Sequence, residues 1–169
     1  MPGITLQRLP GIFKVYKKMI SLSTLRYLTT QKIKDASILF RNGRHNGAVY
    51  LMGYALEFTL KRKISLTFGF SQGFPENGTE LNTYSAQINL FHRLNTGVQL
   101  SRIAQLRNHR LNDLLIYSGE SARVTALYYS EWQTVSVWNP EDRYVRQRIT
   151  RIRATEFMRS AKLILREIA

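Results

Sequence analysis

From Thr30 to Ser65 the apolar positions of the chain recur at intervals of three and four, with one polar break. Ile33, Ala36, Leu39 and Phe40 share a stripe, with Thr29 or Thr30 placed to cap its start and Gly43 to end it. After RNGRH the pattern resumes at Ala48, Leu51, Met52, Ala55, Phe58 and Thr59, which predicts a second helix from about Asn46 to about Ser65. The short connection makes these helices antiparallel neighbours. LTFGFSQGFPENGTE, rich in glycine and holding Pro75, reads as a plain flexible loop with a turn at Asn77-Gly78. Residues 81–107 read as helix pieces broken near Gly97. Leu111, Leu114 and Leu115 predict a short helix ending at Gly119. Val124, Leu127, Tyr128, Glu131, Val135 and Trp138 predict one continuous helix from Ser121 to Trp138, and Asn139-Pro140-Glu141-Asp142 stops it while offering a new helical start. The last helix, Arg151 to Ile168, carries Ala154, Phe157, Met158, Ala161, Ile164, Leu165 and Ile168 on one stripe with Arg and Lys opposite. No alternation of period two and no repeat appears. The pattern predicts an all-α fold, an antiparallel bundle of four to five helices over residues 30–169. A basic, partly helical N-terminal extension, residues 1–29, precedes it.

Charge adds a partner class to this picture. Lys and Arg number 25 against 11 Asp and Glu, a net charge of +14 in 169 residues. A field of that size points to a polyanion, nucleic acid first and an anionic membrane surface second. The absence of cysteine excludes disulfides, thiolate zinc sites and thiol nucleophiles. His45, His92 and His109 have no metal-ligand spacing among themselves, so neither metal nor cofactor is expected. Uncharged stretches fall short of the roughly 20 residues that a membrane span needs. Lys14, Lys17 and Lys18 interrupt the N-terminal apolar run, which argues against a signal peptide. A cytoplasmic protein without membrane contact is the expectation.

Two features carry candidate chemistry. Tyr50, Tyr54, Glu57 and Lys61 lie at i, i+4, i+7 and i+11 of the second helix, forming a polar-aromatic stripe beside the apolar one. RYVRQRITRIR places Arg143, Tyr144, Arg146, Arg148, Arg151 and Arg153 in one short run, and the planar fork of arginine suits phosphate. Tyr128, Tyr129, Trp132 and Trp138 sit at helical spacing and read as core rather than as base-stacking platforms.

GRHNGAVYLMGYALEFTLK, then NHRLNDLLIYSG, then VWNPEDRYV resemble, in that order, three blocks of the HEPN family, the higher eukaryote and prokaryote nucleotide-binding helical bundles. The resemblance spans residues 30 to about 165. It implies an antiparallel helical bundle, commonly dimeric, and suggests Arg143 as the partner of Glu57, either as an ion pair fixing helix register or as the floor of a nucleotide or RNA cleft. Family members that cut RNA resemble one another in an Arg, a polar residue directly after it, and a His four to six residues beyond. Here Arg102 and His109 have that spacing, with six residues between them, but Ile103 follows Arg102. In a chain this rich in arginine one such spacing is expected by chance. The expectation is therefore a HEPN-like homodimer binding RNA or nucleotide through its arginine-rich face, with no intact ribonuclease motif. The alternatives are a non-catalytic module for a protein partner such as a nucleotidyltransferase, and a metal-independent ribonuclease using Arg102 and His109.

Overall fold

The computed structural model describes residues 19–94, 106, 108–144 and 148–169, and among them the chain is helical, with one isolated bridge and no strand. The first helix, α1, spans Leu22–Arg41. Ser21 caps it, its hydroxyl accepting the Thr24 N–H at 3.0 Å, and Leu25 in its first turn is fully buried. This start corrects the expected cap at Thr29 or Thr30 and the boundary after residue 29. Those two hydroxyls instead bond back to the carbonyls of Leu25 and Arg26 within the helix. The helix ends as its glycine requires. Gly43 adopts φ +71°, and the following Arg44 N–H returns to the Leu39 carbonyl at 2.9 Å.

The chain then enters α2, His45–Thr67, which lies at the centre of the bundle. Ala48, Met52, Ala55, Leu56, Leu60 and Ile64 are fully buried on it, and so are Glu57 and Lys61 almost completely. The later elements are α3 (Gly78–Asn82), α4 (Ser85–Leu94), α5 (Leu111–Ser118), α6 (Ser121–Leu127), α7 (Tyr129–Ser136), a 3-10 turn (Pro140–Tyr144) and α8 (Arg151–Ile168). α1, α5 and α8 pack on α2, α7 packs on α8, and the 3-10 turn closes over α2. Each Leu, Ile or Met side chain fully removed from water here contributes about 1.5–3 kcal/mol, which helps one central helix organise the fold.

Three local expectations change. The helix foreseen from Ser121 to Trp138 is broken at Tyr128, whose backbone leaves the helical region at φ −136° and ψ 33°. The Tyr128 hydroxyl donates to Glu167 at 2.8 Å, and Arg123 bonds both Glu120 and the Glu167 carbonyl, so α8 draws the chain out of line at that point. The Asn139 start yields a 3-10 turn in which the Asn139 side chain accepts the Glu141 N–H. The glycine-rich loop is pinned rather than free. Phe68, Phe70 and Phe74 are buried, Tyr84 stacks on Phe70 at 4.4 Å, and Ile20 and Phe74 exchange two backbone hydrogen bonds. The break expected near Gly97 lies outside the described residues. No helix among them is long and apolar enough to cross a membrane.

Candidate nucleic-acid interface

Glu57 sits in the middle of α2 with 1% of its side chain exposed. Its Oε1 pairs with Lys61 Nζ at 2.9 Å, one turn on, and its Oε2 meets His109 Nδ1 at 2.8 Å. Lys61 is also buried, its ammonium lying 5.2 Å from the Phe74 ring centre. Paired with a buried cation, the carboxylate accepts, so His109 Nδ1 donates in this bond and Nε2 is the ring nitrogen left outside it.

His109 arrives at Glu57 through a tight turn before α5. Asn108 donates to Asp113 at 2.8 Å and accepts the Arg110 N–H at 3.0 Å, which aims the intervening residue at α2. About half of the His109 side chain stays exposed, and its ring meets Tyr54 edge to face. The carboxylate at helical spacing from His109 is Asp113, four residues on, so nothing local pointed to the pair with Glu57. The partner comes from a helix 52 positions earlier.

Arg143 does not pair with Glu57 as expected. Its guanidinium donates to the Tyr50 oxygen at 3.0 Å and to the Tyr144 oxygen at 2.6 Å, and it lies 4.6 Å from the Tyr144 ring centre. The stripe therefore divides between two partners: Tyr50 holds Arg143, Glu57 holds His109, and Tyr54 stands between them. The hydroxyls of Tyr50 and Tyr54 are 3.4 Å apart. Their bond, and then Arg143, holds the Tyr50 phenol below the usual tyrosine value despite partial burial. Burial, and then the same bond, pushes Tyr54 well above it. Arg143 is raised in turn by its bonds to Tyr50 and Tyr144.

Two hollows flank Trp138, which is buried and packs edge to face on Tyr54 at 5.1 Å. One, of about 230 Å³, is lined by Tyr50, Asp142 and Arg143. The other, of about 510 Å³, is lined by His109, Arg110, Asp113 and Glu141. Trp138 and Asn139 belong to both. Arg148 lines a third hollow that shares Asn46, Gly47 and Ile149 with the first. Arg151 and Arg153 stand exposed on the first turn of α8, where Thr150 caps the helix. Arg102 and Arg146 lie outside the described residues. Among the described residues no group of three or more His, Asp or Glu could hold a metal ion. Of the aromatics expected in the core, Trp132 and Trp138 are buried, Tyr128 is half-buried and Tyr129 is exposed.

The fold and site define a basic helical bundle with a polar-floored cleft. No family model, curated protein or solved structure matches the chain, so the reading of the cleft rests on its own geometry.

Proposed function

We propose that the protein is a HEPN-like bundle that binds RNA or a nucleotide, with Arg143 as the first phosphate contact and Arg148, Arg151 and Arg153 extending the surface. The orientation of Arg143 carries this reading. Two phenols hold its guanidinium at the rim of a hollow, and no carboxylate pairs with it among the described residues, so its charge is available to a phosphate. Anisotropy titrations of labelled RNA, DNA and mononucleotide across salt test it. Binding should fall steeply with salt, and Arg143→Ala and Arg148→Ala should each flatten the log–log slope by roughly 0.7 to 0.9. His109→Ala should leave binding intact. If neither RNA nor DNA binds at low salt, the arginines form a solvated face and the cleft serves a protein partner.

A second reading is favoured by one observation, the Glu57–His109 bond. A buried carboxylate that fixes the tautomer of a half-exposed imidazole is the arrangement a general base needs, so metal-independent cleavage of bound RNA is the competing function. Two carboxylates, Asp113 and Glu141, line that hollow against one, Asp142, beside Arg143, so cleavage ranks second to binding. RNA incubated in excess chelator decides between them. Cleavage lost in His109→Ala, and in Glu57→Gln under conditions where its circular dichroism shows it folded, would establish the ribonuclease. Homodimerisation and a cytoplasmic location complete the proposal, and light scattering across micromolar concentrations tests the first of these.

A further inference from the structure

A second group of cations lies where α1 meets α8. Arg41, in the last turn of α1, and Arg159 and Lys162, on the outer face of α8, line a hollow of about 530 Å³ floored by Phe40 and Met158. Arg44, three residues on from Arg41, and Arg148 line a separate hollow at the start of α2, which shares no lining residue with the Arg41 hollow. None of these five makes an ion pair within 4 Å among the described residues, although Arg159 lends part of its field to Glu131. Glu156, exposed on the same stretch of α8, is bonded to none of them among the described residues. The third hollow runs into the Arg143 hollow through Asn46, Gly47 and Ile149, and that one into the His109 hollow through Trp138 and Asn139. From Arg151 to Lys162 alone the axis of α8 covers roughly 16 Å.

We infer that these hollows form one track and that its ligand is a single strand of RNA several nucleotides long, entering over Arg41, Arg159 and Lys162 and passing Arg148 to Arg143. The inference rests on the RNA reading above and names its substrate class. A mononucleotide cannot reach both ends of such a track. A duplex presents its phosphates on a stiff cylinder, whereas this path follows recesses between helices and turns past the start of α2. A single strand also has bases to stack, and Tyr144 offers a face for one. It is 74% exposed, and its ring is backed by the Arg143 guanidinium.

The test is a length series. Labelled homopolymer RNAs of two, four, eight and twelve nucleotides, and a twelve-base-pair duplex, are titrated against the wild type, Arg143→Ala, and the triple variant Arg41→Ala/Arg159→Ala/Lys162→Ala. All three residues of the triple variant are at the surface, and its circular dichroism and melting curve confirm folding before use. Affinity should climb with length up to the longer single strands and be weaker for the duplex. Each phosphate contact on a single strand is worth roughly 5-fold at 0.1 M salt, so the triple variant should lose on the order of 100-fold for the twelve-mer, with a salt slope flatter by about 2. It should bind the dinucleotide as the wild type does, while Arg143→Ala weakens both. Affinity that stops rising at two nucleotides, or a triple variant equal to wild type on the twelve-mer, overturns the track and leaves the Arg143 site standing. Equal or tighter binding of the duplex overturns the single-strand assignment. Failure of every RNA to bind overturns the underlying reading itself. Phosphatidylserine vesicles form a control arm, and a triple variant that loses vesicle binding but no RNA binding assigns the cations to a membrane surface and overturns the proposal.

Discussion

Glu57 is the residue on which the polar floor depends, because two partners meet on its carboxylate and one of them is buried. Glu57→Gln leaves Lys61 as an uncompensated cation against the Phe74 ring, and loss of one member of a buried pair costs about 3–5 kcal/mol. His109→Ala should cost only about 1 kcal/mol, since the imidazole is half in water and removes one hydrogen bond. Urea denaturation of the two variants separates these contributions, and Glu57→Gln/Lys61→Met should recover most of the loss. Equal costs for the two single variants would shift the weight from the lysine to the histidine. The tyrosines provide a second measurement. Tyr50 has its folded value depressed, so it adds stability as pH rises through that value towards the unfolded one. Tyr54, Tyr117 and Tyr128 are raised, and each takes stability away as pH climbs past the unfolded value. Three groups against one predict net loss of stability above about pH 10. In ultraviolet difference titrations of wild type against Tyr50→Phe, Tyr50 should ionise below the usual tyrosine value, and Arg143→Ala should move it up.

At the scale of helices, the cleft exists because Trp138 lies directly against the backbone of α2. A Cβ added at Gly53 would fall 2.1 Å from the indole ring, so only glycine lets the 3-10 turn close down on this helix. Two effects compete in Gly53→Ala. Helix propensity favours alanine by about 1 kcal/mol, while overpacking a rigid ring against backbone costs about 1–3 kcal/mol or more. Packing should win, so the variant is expected to be less stable, with a red-shifted tryptophan emission as Trp138 is pushed towards water. Trp138→Leu in the Gly53→Ala background should restore part of the stability. A stabilised Gly53→Ala would mean that the turn is free to lift away. The same scale explains the break at Tyr128. Burial opposes ionisation of Glu120, but bonds from Lys63 and Arg123 outweigh it and keep the carboxyl below its usual value. Glu167 is held low by Tyr128 and Arg166. Together they tie α2, α6 and α8 at one end of the bundle.

For the whole molecule, 25 cations against 11 carboxylates impose self-repulsion that the fold must withstand. Salt relieves it, because the screening length shrinks from about 30 Å at 0.01 M to about 8 Å at 0.15 M. The melting temperature should therefore rise over that range of sodium chloride. Exposed pairs such as Arg166–Glu167 weaken with salt but contribute little at such exposure. A melting temperature that falls with salt would show that the ion pairs outweigh the excess charge. Polyanions that bind the folded surface more tightly than the unfolded chain should raise it further.

The helical period, the glycine stops at Gly43 and Gly119 and the inward stripe of α8 were determined by the sequence alone. Each is set by residues within a turn or two of one another, where local conformational preference and periodicity act directly. The net charge was equally legible, being a sum that needs no fold. What lay opposite Glu57 was not. The stripe from Tyr50 to Lys61 announced a polar face, but a side chain pairs with whatever packing brings within 3 Å. Here that is a histidine in the turn before α5 rather than the arginine of the 3-10 turn, which Tyr50 intercepts. The early start of α1 escaped for a related reason: Leu25 becomes a core residue only once α1 is laid along α2, and that contact belongs to the tertiary structure.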